Sequence, residues 1–164
     1  VLDLFEGNMS LIKNGACNTY IKNKKNISIV KSEEMPIGIE LDVNLKEKII
    51  SVRGNCDTEV DQMVLDFPIL SDYLILETES KTIYASHGHI YSEENPLKLA
   101  KGSIFLCGHT HIPTCNIHED FVYINPGSIS IPKENSLHSY IILENNTFTW
   151  KDLLTNDSYK SFSL

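Results

Sequence analysis

Three short polar segments in this chain each follow a strand-like apolar run: IISVRGNCD over residues 49–57, IYASHGH over 83–89 and IFLCGHTH over 104–111. Asn, Cys, Asp and His have no use inside a buried strand. Strand ends in a layered α/β fold, however, converge on one rim where ligands bind. At these ends Asn55, His87, His109 and His111 supply one amide oxygen and three imidazoles. Such a mixed oxygen and nitrogen set suits borderline divalent ions (Mn, Fe, Zn or Ni) better than Ca²⁺ or Cu(I). His109 and His111 are two residues apart. In an extended segment both face one side, and in a turn they straddle two ions roughly 3.5–4 Å apart. Gly108 permits close backbone approach beside them.

Three further residues sit next to these donors. His89, in SHGH, reads as a group facing substrate or flanking the ligands. Asp57 reads either as the N-cap of a helix or as a carboxylate that orients a neighbour. Cys56 reads either as a thiol at a helix N-terminus, where the thiolate is favoured, or as a partly buried spacer. His118 and His138 fall within hairpin strands and read as structural.

The elements that must position these residues are mostly short strands. Residues 48–52 read as a strand that turns at Gly54 into a helix EVDQMVLDF, which Pro68 ends. Residues 73–77 and 82–86 form a hairpin, and 103–107 is the strand before GHTH. A short helix PLKLA, capped by Asn95 and ended by Gly102, connects the two. Two more hairpins follow, 114–118 with 121–125 and 138–144 with 147–153. NPGS is a turn between them, and the tail NDSYKSFSL is loose. Upstream, Val1–Glu6 reads as an amphipathic helix. Strands are expected around Ile27–Val30 and Ile37–Val43, with Pro36 interrupting between them.

The balance of 164 residues, 41% hydrophobic and 22% charged, predicts one globular domain over residues 1–164. A net charge of −8 argues against broad electrostatic binding of nucleic acid or an acidic membrane. An anionic substrate would need local positive charge, which bound cations provide. Cys17, Cys56, Cys107 and Cys115 form no CxxC pair and no disulfide-style spacing, which predicts a reducing compartment, the cytoplasm. No apolar run approaches membrane-spanning length, and no signal peptide is visible.

In this order, GNCD, HGH, GHTH and NPGS resemble the calcineurin-like metallophosphoesterase superfamily, and within it the small YfcE-type bacterial phosphodiesterases. The resemblance covers residues 46–152, while 1–45 diverges. It implies an α/β fold with a four-layer α/β/β/α sandwich and hydrolysis of a small phosphodiester at a dinuclear centre. Mn is the commonest implied metal, two ions per complete site. By the same resemblance Asn55, His87 and His109 hold one ion and His111 belongs to the other. Cys56 takes the position of a proton-donating histidine, and Cys56, Asp57 and His89 are the candidate catalytic residues. The family's DxH and GD motifs do not occur here. The resemblance places the first just upstream of Val1 and the second within 7–45, where Asp42 is the one strand-end aspartate. The domain is thus expected to be N-terminally truncated or altered, and the Asn- and Lys-rich stretch within residues 7–45 fits a shifted reading frame or a wrong gene model. The competing function is a non-catalytic protein-binding scaffold of the same fold. A structural zinc module is a third reading, without the usual cysteine-rich ligand set. Exposed edge strands offer a route to a homo-oligomer.

Overall fold

The computed structural model describes the chain from Ile49 to Leu164, except Asp66 and the Val64 side chain, and before it the backbone of five strands. These are β1 (Leu2–Phe5), β2 (Asn8–Asn14), β3 (Cys17–Ile21), β4 (Ile27–Ser32) and β5 (Met35–Leu41). Then follow β6 (Ile49–Val52), α1 (Glu59–Val64), β7 (Tyr73–Glu77), β8 (Thr82–Ser86) and β9 (Ser103–Cys107). The chain continues through β10 (Pro113–Ile117), β11 (Phe121–Pro126), β12 (Ser139–Glu144), β13 (Thr147–Asp152) and β14 (Ser158–Ser163).

Two sheets carry the fold. One is five-stranded, in the order β10-β11-β9-β8-β7; the other is seven-stranded, in the order β14-β13-β12-β2-β3-β6 with β1 added on β2. Apolar residues at alternate positions close the space between them. Ile83 and Ala85 of β8, Leu106 of β9 and Ile124 of β11 pack in one buried cluster with Val52 of β6, Ile141 of β12, and Phe148 and Trp150 of β13. Facing sheets that bury a shared core are the two inner layers of an α/β sandwich. β9 is buried along its whole length. Its outer side packs Phe105 and Cys107 with Tyr123 against Tyr91, Leu97 and Leu99 of the segment that runs from β8 to β9.

β8, β9 and β11 run parallel, with Ser86 opposite Cys107 and Leu106 opposite Ile124. Their C-terminal ends therefore lie on one rim, and the next residues are His87, Gly108 and Gly127. Parallel pairing is what turns three segments distant in sequence into one location.

Several expectations change. The helix over 59–67 is only α1, six residues long. PLKLA is not helical: residues 96–100 alternate between exposed and half-buried. Leu97 and Leu99 are two apart and can share a side only in extended chain. The tail is not loose, because its residues 158–163 form β14, antiparallel to β13. There Phe162 pairs with Phe148, and the Lys160 ammonium lies 4.8 Å over the Trp150 ring. Val1–Glu6, read as helix, contains strand β1, since Leu2, Asp3 and Leu4 fit a two-residue period as well. Pro36 lies inside β5, beside the register shift at which β4 and β5 slip. A proline is tolerated there because no ladder N–H is required.

Candidate metal centre

β6 ends in a tight turn that presents Asn55. The Asp57 carboxylate accepts the Gly54 N–H at 2.6 Å, and the Asp57 N–H donates to the Gly54 carbonyl at 3.2 Å. Asp57 is thus buried as the clasp of the GNCD turn and is not the helix cap. Thr58 caps α1 in a capping box with Asp61. The Thr58 backbone N–H and hydroxyl hold the Asp61 carboxyl below the usual carboxylate range. The turn leaves Asn55 and Cys56 exposed, with the Asn55 amide 3.4 Å from the Cys56 sulfur. Cys56 lies two residues ahead of the cap and is neither in the first helical turn nor a buried spacer.

Asn55 reaches across to the rim of the other sheet. Its Oδ1 is 2.9 Å from Nε2 of His87, which is only 2% exposed, and the same Nε2 lies 3.2 Å from Nδ1 of His109. One proton on Nε2 cannot serve both contacts, because a nitrogen that donates to Asn55 has no lone pair left for His109. Two donors bound at about 2.0–2.2 Å to one ion lie roughly 2.8–3.1 Å apart in octahedral geometry and roughly 3.3–3.6 Å apart in tetrahedral geometry. The spacing of Asn55 Oδ1, His87 Nε2 and His109 Nδ1 therefore suits a cation in place of that proton. Among the described residues, no group of three or more His, Cys, Asp and Glu forms a metal site. The third donor of this cluster is an amide.

The histidine loops are shaped by backbone. His109 and His111 have φ of +62° and +67°, and Gly88 has φ of +114°. A Cβ on Gly88 would stand 3.0 Å from the His109 Cβ. His111 Nδ1–H donates to the Ile131 carbonyl at 2.7 Å, which fixes the orientation of its ring. Exposed His89 flanks the cluster, its ring centroid 5.2 Å from that of His87 and 6.3 Å from that of His109. His118 stacks on Phe121 and contacts Glu93 at 2.8 Å, and His138 donates to the Ile129 carbonyl at 2.6 Å. Both fix local structure.

Beside the histidine loops lies a cavity of about 260 Å³ whose lining includes Gly88, Glu93, Glu94, Thr110, Asn116 and Tyr123. The Ser92 hydroxyl donates to Glu94 and holds its carboxyl below the usual range. Sequence reasoning missed Asn125, treating NPGS as a turn alone. The fully buried Asn125 amide bonds the Gly108 carbonyl and the Thr110 hydroxyl of the GHTH loop. A polar residue at the end of the apolar run FVYI is a signal of the same kind as the polar residues Asn55 and His87 that follow the ends of β6 and β8.

A two-sheet sandwich with histidines gathered at its parallel strand ends defines a class. The chain belongs to the calcineurin-like phosphoesterase superfamily, whose domain matches residues 34–147. It is 40% identical over 102 residues to phosphodiesterase YfcE of Escherichia coli (strain K12), covering 62% of this chain and 55% of that protein. It is 33% identical over 107 residues to the probable metallophosphoesterase YsnB of Bacillus subtilis (strain 168), covering 60% of this chain and 59% of YsnB. The solved structure of Yfce, a phosphoesterase from E. coli, superposes with a TM-score of 0.69 and 36% identity, over 72% of this chain and 65% of that one. The chain thus spans little more than half the length of the curated relatives it matches, 55% and 59%.

Proposed function

We propose that this chain is the metal-binding part of a metal-dependent phosphodiesterase. The observation that carries the reading is the convergence of Asn55 Oδ1, His87 Nε2 and His109 Nδ1 at 2.9 and 3.2 Å. These three would hold one divalent ion, and His111 would belong to the second ion of a dinuclear centre. Mn²⁺ is the metal first in line, with Zn²⁺, Fe²⁺ and Ni²⁺ as alternatives on donor chemistry. A divalent ion, when bound, supplies Lewis-acid stabilisation of the charge that builds on the phosphate.

The chain's own residues do the rest. His87, buried at the strand end, fixes the site against the core, and Asp57 holds the turn that brings Asn55 to it. A thiol is a weak hydrogen-bond donor, so Cys56 gives a leaving alkoxide little help. Exposed His89, beside His87 and His109, is the better proton donor. Substrates with good leaving groups are favoured in consequence. Glu93 and Glu94 border the neighbouring cavity, which disfavours a second anionic group on the alcohol that enters it. The substrate is a small phosphodiester handled in the cytoplasm. Among the described residues only His111 is assigned to the second ion, so slow turnover is the expectation for this chain.

Hydrolysis of bis(p-nitrophenyl) phosphate with and without Mn²⁺ tests this reading. Slow turnover that requires the metal and disappears in His87→Ala is expected; turnover that ignores both metal and His87 contradicts it. One observation favours a second reading, a protein-binding scaffold. Val60 and Met63, one turn apart on α1, are 69% and 84% exposed and form an apolar strip that the sequence did not reveal. A chain that binds no metal yet loses a partner in Met63→Glu would support that alternative.

A further inference from the structure

We infer that Asn125 is a positioning residue, which sets the place of His109 by gripping the chain on both sides of it. The inference rests on the proposed metal centre, but its first readout needs no metal. Asn125 lies in β11, next to β9 in the sheet, and is fully buried. Its Nδ2 donates to the Gly108 carbonyl at 2.7 Å and to the Thr110 hydroxyl at 3.0 Å. His109 is the one residue between those two partners. Its φ of +62° is a left-handed conformation that a residue with a Cβ adopts unwillingly; the Thr110 N–H donates to the Gly108 carbonyl at 2.7 Å across it, and Asn125 adds the hold from outside the loop.

Asn125 is itself held from two directions. Its Oδ1 accepts the Gly127 N–H at 2.8 Å, and its backbone carbonyl accepts the Trp150 indole N–H at 2.8 Å from the opposite sheet. The side chain cannot flip, since flipping would set Oδ1 against the Gly108 carbonyl. The division of labour within one side chain separates positioning from turn formation. The turn at NPGS uses only Oδ1, and an aspartate would close it equally well. The NH₂ group is directed at the loop that carries the histidine, with the Tyr123 hydroxyl 3.4 Å away as a further contact.

The test uses Asn125→Asp, Thr110→Val and Thr110→Ser. Asn125→Asp keeps the Oδ1 bond and removes the donor. Thr110 is exposed, so its variants spare the core. In metal-free protein, NMR cross-peaks between the His87 and His109 rings report their contact. They are expected in wild type and Thr110→Ser, weakened in Thr110→Val and lost in Asn125→Asp. Zn²⁺ affinity, measured by calorimetry on the same proteins, is expected to fall about 10- to 100-fold in Asn125→Asp, less in Thr110→Val and not at all in Thr110→Ser. A folded Asn125→Asp protein with wild-type cross-peaks and Zn²⁺ affinity overturns the inference. If Asn125→Asp does not fold, identical cross-peaks in Thr110→Val and Thr110→Ser overturn it. Cross-peaks that follow this pattern in a protein that binds no Zn²⁺ leave Asn125 as the positioning residue and remove the metal reading instead.

Discussion

His87 and His109 meet because two glycine-bearing loops leave room for them. Gly88 sits at φ +114°, and a methyl group there would stand 3.0 Å from the His109 Cβ and 3.4 Å from the Gly108 carbonyl oxygen. Gly88→Ala is therefore expected to cost about 1–3 kcal/mol and to push His109 away from His87. Denaturant unfolding with parallel Mn²⁺ titration checks both, and an alanine variant of wild-type stability and affinity would show that the loop has slack. Much at this scale was legible in the sequence. His87 stands directly after its strand, and His109 and Asn55 follow theirs within three residues, where a polar donor needs a reason. Asp57 and Thr58 were not separable by type, because both are good caps. The choice between them depends on the Gly54 N–H that takes the Asp57 carboxylate, a contact made by the turn itself. Asn125 was hidden because asparagine before proline and glycine is sufficiently explained as a turn, and its amide partners lie 15 and 17 residues away.

Among the elements, hairpins were the most legible, since alternating apolar residues and short polar turns fix strand, register and connection together. β7 and β8 have the expected bounds, and β10 to β13 lie within a residue or two of theirs. The connection from β8 to β9 was not legible. Pro96 and Gly102 mimic helix start and stop signals, yet Leu97 and Leu99 need an extended chain to reach Phe105, Cys107 and Tyr123. That outer layer has a pH signature. Burial first, and then the negative charges of Glu93 and Glu94, push the Cys107 thiol above its ordinary value of 9.0. Burial, followed by the neighbouring Cys107, pushes the Tyr123 phenol above its ordinary 10.0. The folded state keeps these protons to higher pH than the unfolded chain does. The stability linked to them is present below the unfolded values and is lost as pH rises past them. The urea midpoint is expected to fall between about pH 8 and about pH 10.5, less steeply in Cys107→Ala. An equal slope in wild type and variant would remove Cys107 from the account.

For the whole molecule, the sandwich was legible from strand count and spacing, and through the resemblance of GNCD, HGH, GHTH and NPGS to one superfamily. The pairing of β2 and β3 between β12 and β6 was not, because their sequences keep no steady alternation. The tail was misread for a related reason. Tyr159, Lys160 and Phe162 are too few apolar residues to announce a strand, but edge strand β14 needs only Phe162 and the Lys160 stem against the core. What the two sheets accomplish together is to bring an asparagine from the end of β6 against histidines from the ends of β8 and β9. The most direct test is X-ray absorption at the zinc edge on protein loaded with one equivalent of Zn²⁺. The predicted inner sphere holds two imidazole nitrogens and a protein oxygen, and it loses one imidazole in His109→Ala. A sphere containing sulfur from Cys56, or one unchanged by His109→Ala, would contradict the account.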